Sequence, residues 1–137
     1  MAVVEELLRS EADGTISFGN HKLEKKAKVE DYQHAGDLLK VKTCKDITKL
    51  EKNGMFLYES VPGTSVLNFA EKEDGVEFIV EGDEDAQITI GLTDDRAYEV
   101  FVDGSSIGAI KTGFGGKLSL SVEIGAADEV PVRVVQI

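Results

Sequence analysis

Leu118, Leu120, Val122 and Ile124 alternate with Ser119, Ser121 and Glu123. A period of two sends neighbouring side chains to opposite faces of an extended strand, so one face meets a core and the other meets water. The same alternation marks Leu39, Val41 and Thr43, then Val76, Phe78 and Val80 with Glu77, Ile79 and Glu81 between and after them, then Ile88, Ile90 and Leu92, and finally Val130, Val132 and Val134. Turn signals separate these runs. Asn53-Gly54 and Asp103-Gly104 tolerate the positive φ of a type I′ hairpin. Pro62-Gly63, Glu73-Asp74-Gly75 and residues 113–116 break the pattern elsewhere. No stretch after Gly14 has a helical period. The spacing predicts an all-β chain, an antiparallel β-sandwich of roughly eleven short strands.

The start of the chain reads differently. Val3, Val4, Leu7 and Leu8 fall at i, i+4 spacing, the stripe of a short amphipathic helix over residues 1–14. The expected organisation is that helix followed by one sandwich domain over 15–137. Two intimately packed halves, near 15–70 and 75–137, are compatible with the length, although no motif repeats between them.

The chain has 137 residues, with 15 basic and 26 acidic side chains and a net charge of −11. A surface of that sign disfavours nucleic acid and anionic membranes as partners. The charge is uneven: residues 22–52 carry nine lysines against six acids. No apolar run is long enough to cross a membrane as a helix. The start has neither the basic region nor the apolar run of a signal peptide, and the one cysteine, Cys44, has no internal partner. Unless a leader precedes the chain, a reducing, cytoplasmic location is expected.

Catalytic patterns are absent from the sequence. There is no nucleophile elbow, no phosphate loop and no dinucleotide fingerprint. His21, His34, Cys44 and Asp31 are the ligand types a transition metal would use, but their spacing fits no zinc pattern. Residues 81–85 hold four carboxylates, and Asp94-Asp95 and Asp128-Glu129 form smaller acidic groups, without the spacing of a calcium loop. No metal and no cofactor are expected.

Two segments break the alternation. Met55-Phe56-Leu57-Tyr58 and Val100-Phe101-Val102 are apolar at both parities. If one parity faces the core, the other is left bare unless something covers it, and bare apolar patches mark interfaces. The candidate interface residues are therefore Val3, Leu7, Phe56, Leu57, Tyr58 and Phe101. The candidate ligand contacts are Tyr32 and Phe114, the latter on a glycine loop, because sugar faces stack on aromatic rings.

The segment Tyr98-Glu-Val-Phe-Val-Asp-Gly104, followed by Gly115-Gly-Lys-Leu-Ser-Leu-Ser-Val122, resembles the closing hairpins of bacterial immunoglobulin-like accessory β-sandwiches. The whole chain also resembles short gut-Firmicutes proteins labelled endosialidase-like. The resemblance implies an accessory module of a glycan-active system. It carries over no catalytic residue: the sialidase Asp-box, Ser-x-Asp-x-Gly-x-Thr-Trp, differs from Ser10-Glu-Ala-Asp-Gly-Thr15 in spacing, and the chain has no Trp. The leading expectation is a non-enzymatic module acting through protein contacts, chiefly as a homo-oligomer. A carbohydrate-binding module is the alternative, and a small hydrolase with a site on its loops ranks third.

Overall fold

The computed structural model describes residues 3–125 and 129–137. Thirteen strands run through these residues: β1 (Leu8–Ser10), β2 (Ile16–Phe18), β3 (Ala27–His34), β4 (Asp37–Thr43), β5 (Thr48–Lys52), β6 (Met55–Val61), β7 (Ser65–Lys72), β8 (Gly75–Glu81), β9 (Ala86–Gly91), β10 (Ala97–Val102), β11 (Ser105–Lys111), β12 (Lys117–Val122) and β13 (Val130–Gln136). A seven-stranded sheet has the order β1-β2-β7-β8-β13-β10-β11, and a six-stranded sheet has the order β12-β9-β6-β5-β4-β3. Neighbours within both sheets pair antiparallel. The sandwich thus has thirteen strands rather than about eleven, the additional ones including the three-residue β1 and β2, which are too short to show a period. Strands from both candidate halves share each sheet, since β6 pairs with β9 and β7 with β8. A division near residues 70–75 therefore separates no sheet.

The inner faces meet in one buried cluster that draws on residues from Leu8 to Val134. At its centre are four rings. Phe18 stands edge-on to Tyr58 at 5.2 Å and to Phe69 at 5.7 Å, while Phe69 stacks on Phe78 at 5.5 Å. β12 shows how the alternation becomes structure: Leu118, Leu120 and Val122 are buried, and Lys117, Ser119 and Ser121 are exposed.

The helix expected over 1–14 is not formed by the described residues. Leu7 has φ 71, outside the right-handed helical region, and its amide closes a turn onto the Val4 carbonyl at 2.9 Å. Leu8–Ser10 then pair with Ile16–Phe18 as a hairpin. Val4 and Leu8 are buried. The turn delivers both to the core, and so short a helix holds too few bonds to compete with that burial.

The Asn53-Gly54 hairpin forms with φ 52 and φ 79, and Leu38 donates its amide to Asn53 Oδ1 at 2.9 Å. Nothing lies within 4 Å of a Cβ built on Gly54, so a side chain there strains only the backbone. Gly54→Val is expected to lose about 1–3 kcal/mol of stability, the usual range for a side chain forced into a sparsely populated region. Urea unfolding measures this directly, and an unchanged midpoint would contradict it.

Candidate functional site

β8, β13 and β10 are consecutive inner strands of the seven-stranded sheet, and each has an apolar or aromatic side chain out of phase with its core face. Val76, Phe78 and Val80 point inward, which turns Glu77 and Ile79 outward. Ile79 lies opposite Pro131 on β13 and opposite Leu67 on β7. In the next row, Glu77 faces Arg133, and Arg133 faces Phe101 on β10. The Arg133 guanidinium sits 4.6 Å from the centre of the Phe101 ring, a cation–π contact that covers part of it. Glu77 is held by Lys72 at 2.9 Å. On β7, Asn68 bulges at φ 53 and donates from its amide to Ser17 Oγ at 3.1 Å. Asn68, Glu77, Ile79, Phe101, Pro131 and Arg133 line a groove of about 490 Å³ on the outer face of the sheet.

Pro131 stands on an inner strand although proline donates no ladder bond. The β10 pairing ends at Val102↔Val132, one residue before it, and only its carbonyl is used, accepting from the Asp103 amide at 2.8 Å.

The outer face of the six-stranded sheet is the opposite in character. One row across it reads Ser119, Thr89, Glu59, Lys49, Lys42, Lys28. Such a row is hydrated without a partner, so the apolar face stands out against it.

The candidate interface residues fall in different places. Phe101 lines the groove. Leu57 and Tyr58 are buried at 5% and 0% exposure, so they belong to the core rather than to a surface. The cause is a bulge: Leu50 pairs with Tyr58 but Glu51 pairs with Phe56, so Leu57 is an extra residue and both Leu57 and Tyr58 turn inward. Phe56 is left outside, half-buried under Lys117 Nζ at 4.7 Å. Val3 and Leu7 are partly buried beside the β1–β2 hairpin. The groove residues Ile79, Pro131 and Arg133 lie outside the candidate set, although Ile79 had a visible signal, an isoleucine in the polar phase of β8.

Tyr32 and Phe114 are not brought together. β3 and β12 are opposite edges of the six-stranded sheet, five strand spacings or ~24 Å apart. Ser10 Oγ bonds Tyr32 Oη at 3.1 Å and His34 Nδ1 at 2.8 Å, which ties β1 to β3 across the sandwich. Phe114 is fully exposed on the β11–β12 loop.

His21, His34, Cys44 and Asp31 do not converge either, and no group of three His, Cys, Asp or Glu among the described residues is placed to hold a metal. The acidic loop serves the chain itself: Asp83 pairs with Lys22 at 2.6 Å, and Asp85 accepts the Ile124 amide at 2.9 Å. Asp128 lies outside the described residues.

His21 is buried beside Ser65, with Nδ1 at 2.7 Å from Ser65 Oγ and Nε2 at 3.8 Å from Asp83. The pair has the elements of a nucleophile and base, yet Ser65 has no exposed surface for a substrate to reach. Burial pushes the His21 imidazole below its ordinary range and outweighs the opposing pull of Asp83, while the Lys22 charge adds to the lowering. The folded state therefore binds fewer protons than the unfolded one as pH falls through the ordinary histidine range. This contribution to stability is complete above about pH 6.5 and declines below it. The melting temperature is expected to fall between roughly pH 7 and pH 5, and His21→Gln to flatten that slope. An equal slope in the variant would contradict the assignment.

No family model, curated protein or solved structure matches the chain. The functional reading therefore rests on the two sheet faces and the loops.

Proposed function

We propose that the chain acts through protein contacts, as a non-enzymatic β-sandwich that associates with copies of itself. The observation that carries this reading is the groove over Ile79, Phe101 and Pro131, on the outer face of a sheet whose inner face already fills the core. A two-sheet sandwich gains nothing in stability from apolar groups left in water, and association removes them from it.

Molar mass by light scattering, in low and high salt, tests this. The expected mass exceeds the monomer, rises with concentration and persists in high salt, because burial of apolar surface does not depend on ionic attraction. Phe101→Glu places a carboxylate opposite Arg133, which the sheet accommodates, and is expected to return the protein to monomer with its circular dichroism unchanged. A wild-type monomer at every concentration would contradict the reading. Dissociation in high salt would assign the contact to the charged segments instead.

A second reading, a carbohydrate-binding module as the endosialidase-like resemblance implies, is favoured by the bare Phe114 ring alone. Glycan binding that disappears in Phe114→Ser would support it.

A further inference from the structure

We propose that β12 takes an extended segment of another protein as a further strand of the six-stranded sheet, beneath the overhanging β11. Seven strands lie over six. The sheets are tied at one flank, where Ser10 on β1 bonds Tyr32 and His34 on β3. Counted from that flank, β12 faces β10, and β11 faces no strand among the described residues. Burial agrees. Tyr98 and Val100 on β10 are buried, while six of the seven β11 residues are exposed and Ile110 is half-buried. Gly108 and Ile110 lie opposite Val100 and Tyr98, so they share the inward phase of those residues. Ile107, the extra residue of the β11 bulge, is 50% exposed. A hollow of about 600 Å³ opens on this flank, with Val102, Ile107 and Val130 on one side and Glu123, just past the end of β12, on the other.

β12 is also the one sheet edge without a device against pairing. Edges are ordinarily blunted by shortness, bulges or charge. β1 has three residues. β3 is bulged between Val29 and Tyr32 and carries Lys28 and Glu30, and β11 is bulged beside Phe101. β12 pairs with β9 at all six positions without a shift, and no charge or proline stands between Lys117 and Glu123. Its other side presents backbone donors and acceptors that an extended chain satisfies in register. The two ends specify the charge of that chain. Asp103, Glu123 and Glu129 line the hollow with no basic residue among the described ones there, and none of the three has an ion pair. Lys117, at the other end of β12, lies over the Phe56 ring and pairs with no carboxylate. An antiparallel segment therefore carries a base at its N-terminal end, beside Glu123, and an acid at its C-terminal end, beside Lys117. Its inward positions are apolar, because they continue the core face of Leu118, Leu120 and Val122 beneath Ile107 and Ile110. A second copy docked edge to edge would bring two overhanging β11 strands into the same space, so the segment is a single extended stretch of a different partner.

Residues 117–123, Lys-Leu-Ser-Leu-Ser-Val-Glu, have this pattern themselves, so a labelled peptide of that sequence with blocked ends is the probe. Fluorescence anisotropy with the full chain is expected to show saturable binding below about 1 mM. A peptide with its terminal Lys and Glu exchanged is expected to bind about tenfold more weakly, because two cross-strand attractions become repulsions. The double variant Lys117→Glu, Glu123→Lys is expected to reverse that preference, and both residues are exposed, so the fold is kept. Hydrogen exchange locates the contact: β12 amides are expected to slow on binding, while those of β3, the far edge of the sheet, keep their rates. No saturation, a wild type that does not prefer the first peptide, or slowed exchange elsewhere than β12 would overturn the proposal. The outcome is separate from self-association. A monomeric chain that binds the peptide keeps this inference and loses that reading, and an oligomer that does not bind it does the reverse.

Discussion

Phe18→Ala is expected to remove about 3–5 kcal/mol of stability, the cost of deleting a buried aromatic side chain and leaving its cavity behind. Phe18 has no exposed surface and sits between Tyr58 and Phe69, edge-on to both. It comes from β2, a three-residue strand near the rim of the seven-stranded sheet, yet its ring reaches the centre of the core. The site cannot collapse easily, because the neighbouring rings are fixed by Phe78 at 5.6 Å from Tyr58 and 5.5 Å from Phe69. Domains of this size are stable by only about 5–15 kcal/mol, so the loss is a large part of the total. Chemical denaturation measures it. A loss below that of an ordinary surface change would mean that Phe18 does not pack among these rings.

Thr64→Val is the second large effect expected. The Thr64 hydroxyl bonds the Tyr58 hydroxyl at 2.8 Å and Ser60 Oγ at 2.7 Å, and all three residues are fully buried. The Thr64 main chain is pinned as well: its carbonyl accepts from Thr48 Oγ1 at 2.7 Å, and its amide donates back to the same oxygen at 3.1 Å. Thr48 continues the network to Thr43 at 2.8 Å, and Thr43 accepts the Asn20 amide at 2.9 Å. Burial pushes the Tyr58 phenol well above its ordinary range, against the pull of its bonds to Thr64 and Ser60, so it stays neutral and must find a partner. Valine keeps the shape of threonine and removes the hydroxyl, leaving buried groups short of a bond at a cost of about 1–3 kcal/mol. Adding Tyr58→Phe removes one of the stranded hydroxyls, so the double variant is expected to be more stable than the sum of the two single losses allows. Strict additivity would contradict this account of the network.

Most of the sandwich is legible in the sequence for one physical reason. An antiparallel strand over a single core has two unlike faces, and Lys117–Val122 writes that difference residue by residue. The segments that mislead are those where the backbone departs from the pleat. In Met55–Tyr58 the extra residue turns Leu57 inward, and a bulge leaves no periodic mark. Val4 and Leu8 keep helical spacing while a turn with Leu7 at φ 71 does the work of a helix. The groove is legible in part. Phe101 and Ile79 are out of phase in their own strands, but Pro131, Arg133 and Asn68 join them only through the order β7-β8-β13-β10, which no local pattern contains. Tyr32 has the composition of a ligand platform and is instead committed to Ser10. That commitment depends on β1 lying against β3, a contact between distant segments.

The claim that the outer face of the seven-stranded sheet is covered by another copy can be tested by hydroxyl-radical footprinting at two protein concentrations. Phe101 is expected to lose reactivity in the concentrated sample, while exposed Leu38, on β4 of the other sheet, keeps its own. Equal labelling of Phe101 at both concentrations would contradict the account.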